Sequence, residues 1–274
     1  MSVQLVPVDG AQLSVRDWGS GEPIVFVQTA LTADELVPLA RTSPLERYRK
    51  IVYHRRGYAS SSAVRGPGSI ARDASDCHAV LDALGIGRAH IVGVSYSAAV
   101  TLQVAADTPL VAHTLILLEP PPVHTQSAAQ FRAALERLMA IRRRHGPLAA
   151  LDEFLSMPNS PDWRGVTEHR LPGSAAQMAQ DAATFFDTDV PALLKWQFGP
   201  TDAARITCPV QHIGGTDSGP WFAQARDTLL AWLPSMNDVA IPGADHALAL
   251  THHDEIAHAV AAFLRTHPLD RETI

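Results

Sequence analysis

Residues 90–100 read HIVGVSYSAAV, and the reading of this stretch decides the fold. Within it Gly93-Val94-Ser95-Tyr96-Ser97 nearly spells G-x-S-x-G, with serine in place of the last glycine. A short apolar run ends at Ser95, and a helical pattern of small residues begins at once. A serine on such a turn has a strained backbone and a hydroxyl exposed at the C-terminal edge of a sheet. Strand and helix approach closely there, so small residues are needed two before and two after the serine. Gly93 meets that need, and Ser97 adds only a hydroxymethyl group. Read alone, the stretch also admits a plain strand–turn–helix whose serine caps the helix, the less favoured of the two readings.

Outward from this stretch, apolar strand-like runs alternate with helical patterns. Residues 2–8 and 11–18 suggest an opening hairpin around Asp9-Gly10, and strands are expected at 23–28, 50–54, 90–94, 113–118, 208–215 and 237–241. A helix beginning at a Ser69 cap and stopped by Gly85 places Ile70, Ala74, Cys77, Leu81 and Leu84 on one face. This alternation predicts an α/β fold with a mostly parallel central sheet flanked by helices. From 121 to 204 no strand pattern appears, only helical segments separated by Pro and Gly. The expected organisation is a core of residues 1–120 and 205–274 carrying a helical cap inserted at 121–204.

The chain has 274 residues, 46% hydrophobic and 18% charged, with a net charge of −6. That balance describes a globular protein without a basic footprint for nucleic acid. No apolar run approaches membrane-spanning length, and the N-terminus lacks the charged and apolar regions of a signal peptide. A cytoplasmic, soluble protein is therefore expected, with no membrane partner; monomer and homo-oligomer stay equally open. Cys77 and Cys208 are far apart and outside any C-x-x-C spacing, so neither a disulfide framework nor a zinc site is expected. Phosphate loops, dinucleotide fingerprints and metal-ligand spacings are also missing from the sequence, which implies no cofactor and no metal.

A nucleophilic serine needs a base, and the base needs an orienting acid. After the strand at 208–213 comes Gly214-Gly215-Thr216-Asp217-Ser218, which puts a carboxylate on a tight glycine turn. After the strand at 237–241 comes Pro242-Gly243-Ala244-Asp245-His246, which puts an imidazole on the next strand-end loop. Glu119, at the end of the strand that follows the elbow helix, is an alternative acid. Asp217 is preferred because its glycine turn suits the required projection.

Three strand-end loops carrying Ser, Asp and His in that order resemble the α/β-hydrolase superfamily of capped serine hydrolases and esterases, and the resemblance covers nearly the whole chain. The stretch VYHRRGYASSS (52–62) resembles the Asp-x-Arg-Gly-x-Gly-x-Ser segment common there, with His54 and Ala59 departing from it. The resemblance implies Ser95 as nucleophile, His246 as general base and then acid, and Asp217 as the residue fixing its tautomer. The backbone amides of Ala30 and Tyr96 would form the oxyanion hole. Many relatives carry His-Gly at the end of the first core strand, where this chain has Gln28-Thr29.

Large apolar residues are abundant in the helical segment and beyond it, among them Met157 and the aromatic Phe154, Trp163, Phe185, Phe186, Trp196, Trp221 and Phe222. With Gln28 and Thr29, the residues Phe185, Phe186, Trp196 and Trp221 are the candidates for lining an apolar substrate pocket. The expected activity is cleavage of an ester, thioester or related acyl bond in a small, fairly apolar molecule. Two alternatives stand beside it. One is specialised chemistry at the same site, such as C–C bond hydrolysis, lactone hydrolysis or haloperoxidase-like perhydrolysis. The other is a non-catalytic binding protein that kept the scaffold.

Overall fold

The run Pro23–Val27 (PIVFV) is buried along its whole length, as a strand covered by helices on both faces must be. In the computed structural model, which describes residues 2–64, 66–156 and 163–269, this run is the third strand of an eight-stranded sheet. The strands are β1 (Ser2–Val8), β2 (Ala11–Trp18), β3 (Pro23–Val27), β4 (Arg49–Tyr53), β5 (Ala89–Val94), β6 (Ala112–Leu118), β7 (Val210–Gly215) and β8 (Asn237–Ile241). They lie in the order β1-β2-β4-β3-β5-β6-β7-β8. The first two pairings, β1 with β2 and β2 with β4, are antiparallel; the other five are parallel. The mostly parallel α/β architecture expected from the alternation is the one observed.

Side chains along a strand alternate between faces, so each strand feeds two cores. Val25, Val27, Ile51, Tyr53, Ile91, Leu115 and Leu117 point to one side of the sheet, where helices α2 (Ile70–Ala83) and α3 (Tyr96–Asp107) pack. Ile24, Phe26, Val52, Val92, Ile116 and Leu118 point to the other, against the short helices α1 (Val37–Ala40) and α11 (Leu248–Thr251) and the long α12 (His253–Thr266). Ser69 caps α2 through its hydroxyl, which accepts from the Arg72 amide at 3.1 Å, and Gly85 follows the helix at φ 68°. Both signals read from the sequence are present. The region 33–41 holds only the single turn of α1.

Between β6 and β7 every described element is helical: α4 (Ala128–His145), α5 (Pro147–Ser156), α6 (Trp163–Arg170), α7 (Ser174–Thr184), a π-helical turn (Phe185–Asp189), α8 (Val190–Lys195) and α9 (Pro200–Ala203). Its apolar residues Leu135, Leu138, Leu151, Phe186 and Val190 join the same core as α2 and α3. Met157 and the side chain of Trp163 lie outside the described residues. After β7, α10 (Pro220–Trp232) leads to β8 and the C-terminal helices.

Candidate active site

Ser95 sits between β5 and α3 with φ 51° and ψ −117°, a conformation that costs an L-residue about 1–3 kcal/mol. Its neighbours explain how the strain is held. The Ser95 amide donates to the Leu118 carbonyl on β6 at 2.9 Å, and the Ser95 carbonyl accepts from Ala98 at 3.0 Å. A Cβ on Gly93 would lie 2.5 Å from the Ser97 carbonyl oxygen, so strand and helix meet here as closely as the motif requires. Ser97 does more than fit. Its hydroxyl accepts from the Val94 amide at 2.9 Å and donates to the Val94 carbonyl at 3.0 Å, bracing the turn that a glycine would leave unbraced.

The Ser95 hydroxyl faces His246, whose Nε2 lies 3.2 Å away. On the other side of the ring, Nδ1 donates to Glu119 Oε2 at 2.6 Å. A carboxylate can only accept, so Nδ1 carries the proton and Nε2 turns its lone pair to the serine. Phe222 stacks on the imidazole, with centroids 3.9 Å apart and planes within 18°, and limits the ring's rotation.

Asp217 was the carboxylate expected beside His246, and the one found there is that of Glu119, the alternative. Glu119 follows β6 at φ 45°, which turns its side chain off the strand line and across the sheet edge. Its amide donates to the Ile213 carbonyl at 3.2 Å, and its Oε1 accepts from the Gly215 amide at 2.8 Å. The side chain is 1% exposed. Burial pushes the Glu119 carboxyl up, but the hydrogen bond and charge of His246, with Ser218 and the Gly215 amide adding to them, hold it below its usual range. Asp217 is exposed, its carboxylate accepts from the Thr216 hydroxyl at 3.0 Å, and its amide is tied to the Ala244 carbonyl. The glycine turn therefore carries the Gly215 amide to Glu119 and leaves the Asp217 carboxylate in solvent.

Gln28 and Thr29 are both buried, at 2% and 3% exposure, and neither offers its polar atoms to a ligand. Gln28 Oε1 accepts from the Arg55 amide at 2.7 Å, and its Nε2 donates to the Thr29 carbonyl at 2.9 Å. The Thr29 hydroxyl donates to the Val94 carbonyl. The pair that departs from His-Gly thus ties the loop after β3 to the segment following β4 and to the elbow. None of the hydrogen bonds among the described residues uses the amides of Ala30 or Tyr96.

The aromatic candidates divide. Phe186 is fully buried and packs on Phe185, which also meets Phe154, so these rings belong to the core. Trp196 donates to Gln103 on α3 and packs against His124 and Phe198. Gln103 lies about 12 Å along that helix from the elbow, and Trp196 lines a cavity with Pro120 and Pro121, which follow Glu119. Trp221 is half-buried, edge-on to Phe131, and is next in sequence to the Phe222 that covers His246.

Glu35 was not singled out in the sequence. Surrounding atoms desolvate its carboxyl although part of the side chain stays open, and it lies within electrostatic reach of His246. Burial raises its pKa from the ordinary 4.5 to about 7, against the opposing pull of His246. The folded chain then holds a proton that the unfolded chain releases between these values. Stability from this group is complete below pH 4.5 and is lost as pH rises through 7. Glu35→Gln is expected to match the parent in urea unfolding at pH 4.5 and to exceed it at pH 8 by about 2 kcal/mol, allowing for the screening of its open part. Equal stabilities at pH 8 would show that the carboxyl is solvated.

Among the described residues no cluster of three or more His, Cys, Asp or Glu side chains is placed to hold a metal ion, and no helix is long and apolar enough to cross a membrane. A mostly parallel eight-stranded sheet with a strained serine after its fifth strand, faced by a carboxylate-bound histidine, defines the class of α/β-hydrolase-fold enzymes. The chain matches the alpha/beta hydrolase family over residues 13–259 and belongs to it. RutD of Enterobacter cloacae, a protein assigned as a carbamate hydrolase, is 26% identical over 97% of this chain and 98% of its own length. The enol-lactonase of Burkholderia xenovorans superposes with a TM-score of 0.81 at 20% identity, covering 96% of this chain and 100% of that one. A structure from work on carboxylesterases of Nitrososphaera gargenis also reaches 0.81, at 17% identity, covering 97% of this chain and 98% of that one. At these identities the two solved structures speak for the fold alone.

Proposed function

We propose that the protein is a serine hydrolase that cleaves an ester or related acyl bond of a small molecule through Ser95, His246 and Glu119. The observation that carries this reading is the unbroken chain from buried Glu119, through His246 at 2.6 Å, to the strained Ser95 hydroxyl at 3.2 Å. In the proposed course Ser95 Oγ attacks the acyl carbon and passes its proton to His246 Nε2, and the Glu119 carboxylate stabilises the imidazolium. The substrate's carbonyl oxygen, now negative, takes the amides of Ala30 and Tyr96. His246 then returns the proton to the leaving group. A water molecule, deprotonated by the same nitrogen, releases the acid and restores the serine.

The polar atoms of Gln28 and Thr29 are occupied by neighbouring protein groups, so the pair's departure from His-Gly gives no support to the specialised-chemistry alternative. The assignments of the relatives make carbamates and lactones the bonds to screen beside aryl esters. Incubation of the folded protein with a fluorophosphonate, followed by peptide mass spectrometry, is expected to find the adduct on Ser95. A folded protein that leaves Ser95 unmodified, or that turns over acyl substrates equally well as Ser95→Ala, overturns the reading.

A further inference from the structure

The helical segment between β6 and β7 reaches into the core beneath the site through Asp189, the last residue of the π-helical turn and 1% exposed. Its carboxylate accepts from Arg55 Nη1 at 3.1 Å and Nη2 at 2.5 Å, and from the Tyr58 hydroxyl at 2.5 Å. Arg55, 2% exposed, also donates through Nη1 to Asp73 on α2 at 2.8 Å, through Nε to the Gln28 carbonyl at 3.0 Å, and through Nη2 to the Thr29 carbonyl at 3.3 Å. Those bonds engage all of the nitrogens of the guanidinium fork. The guanidinium also lies over the Tyr96 ring at 4.3 Å, and the Tyr96 hydroxyl donates to the same Asp73 at 2.8 Å.

Two of these contacts bear directly on the proposed oxyanion hole. In a planar trans peptide the carbonyl and the amide point in opposite directions. Holding the Thr29 carbonyl toward Arg55 and Gln28 therefore fixes the direction in which the Ala30 amide points. The following amide, of Leu31 at φ 67°, is held by the Tyr58 hydroxyl at 3.1 Å, so both peptides flanking Ala30 are anchored to one cluster. Tyr96, bearer of the second amide, is seated by its ring and hydroxyl on that cluster as well.

We propose that Arg55 and Asp189 are positioning residues: the guanidinium, clamped by a carboxylate from the helical segment, aims the Ala30 amide and seats Tyr96. The inference rests on the reading of Ser95 as nucleophile. A buried ion pair serving only to fasten the segment to the core is the competing account, and such pairs add little net stability against an apolar replacement. Fastening alone gives no reason for the fork to hold the two carbonyls ahead of Ala30.

The test uses the full chain with Arg55→Lys, Asp189→Asn and Ser95→Ala. Active sites are titrated with a fluorophosphonate, so that turnover is counted per competent site and misfolded protein drops out. Losing one oxyanion donor outright costs about a hundredfold to a thousandfold in kcat. Misaiming one is expected to lower per-site kcat about tenfold to a hundredfold in Arg55→Lys and Asp189→Asn, with KM within about twofold. The fluorophosphonate labelling rate should fall in the same proportion. Unchanged per-site kcat, with only a lower melting temperature, overturns the proposal and leaves a structural clamp. If Arg55→Lys does not fold, Tyr58→Phe decides by the same readout. Turnover surviving in Ser95→Ala identifies failure of the underlying reading, whereas a dead Ser95→Ala beside an unimpaired Arg55→Lys overturns the positioning role alone.

Discussion

Glu119→Gln is expected to lower kcat about ten-thousand-fold, the scale seen when the acid of a serine triad becomes an amide. Asp217→Asn is expected to leave it within about twofold. The size of the first effect follows from how the carboxylate is held. Oε1 is engaged by the Gly215 amide at 2.8 Å, a donor that accepts no substitute. A glutamine at 119 must give its carbonyl oxygen to that amide, which turns its NH2 group toward His246 Nδ1. The imidazole then accepts at Nδ1 and carries its proton on Nε2, facing Ser95 with a donor where an acceptor is required. The imidazolium formed during attack also loses its counter-charge. Steady-state kinetics on an activated ester, with both variants checked for folding, reads the result. A severe loss in Asp217→Asn beside a mild one in Glu119→Gln would reverse the assignment.

Gly93→Ala is expected to cost about 3 kcal/mol or more and to remove turnover. The added methyl would sit 2.5 Å from the Ser97 carbonyl oxygen, 2.7 Å from its carbon and 2.8 Å from Thr101 Cγ2. Two of these are backbone atoms in the first turn of α3, and that turn is bound on its other side to both polar groups of Val94. The only relief is to open the angle between β5 and α3, which releases Ser95 from φ 51° and withdraws its hydroxyl from His246. Gly87→Ala is the control, because a Cβ there meets nothing within 4 Å, and it is expected to stay within about 0.5 kcal/mol of the parent. Urea unfolding and ester turnover on the two variants check the pair. A Gly93→Ala protein with parental stability and activity would mean that the elbow is looser than the distances imply.

The fold was legible because strands buried on both faces write themselves as unbroken apolar runs, as at PIVFV and HTLILL. The elbow was legible because close approach of strand to helix excludes all but small side chains. Which of the two candidate carboxylates meets His246 was not, with Asp217 preferred and Glu119 named as the alternative, and the reason lies in the backbone. Glu119 and Asp217 both stand at strand ends, and only the positive φ at Glu119 decides which side chain is carried over to His246. Gln28 and Thr29 were misread as pocket residues because sequence shows a polar side chain but not its partner, here the Arg55 amide and the Val94 carbonyl. The cluster around Arg55 joins residues 28, 55, 73 and 189, and such pairing across the chain leaves no periodic trace. In α2, Asp73 and Asp76 are buried where Arg55 and Arg56 meet them, and nothing in the helical spacing names those partners.

Placing the proposed acid on β6 has a consequence for how the site can vary. Nucleophile and acid follow directly on hydrogen-bonded neighbours, and the Ser95 amide is itself bonded to the residue before Glu119. Their separation is governed by the inter-strand spacing of about 4.8 Å, a constant of every sheet. The Gly215 amide at the end of β7 and the Ser218 side chain are what this strand end gives the carboxylate. The side chains at 216 and 217 can be exchanged with little bearing on it, and insertions beyond Ser218 would leave the Gly215 amide where it is. In a directed-evolution library, randomising 216 and 217 should be cheap in folded, active clones, whereas randomising the two residues after Leu118 should empty the library.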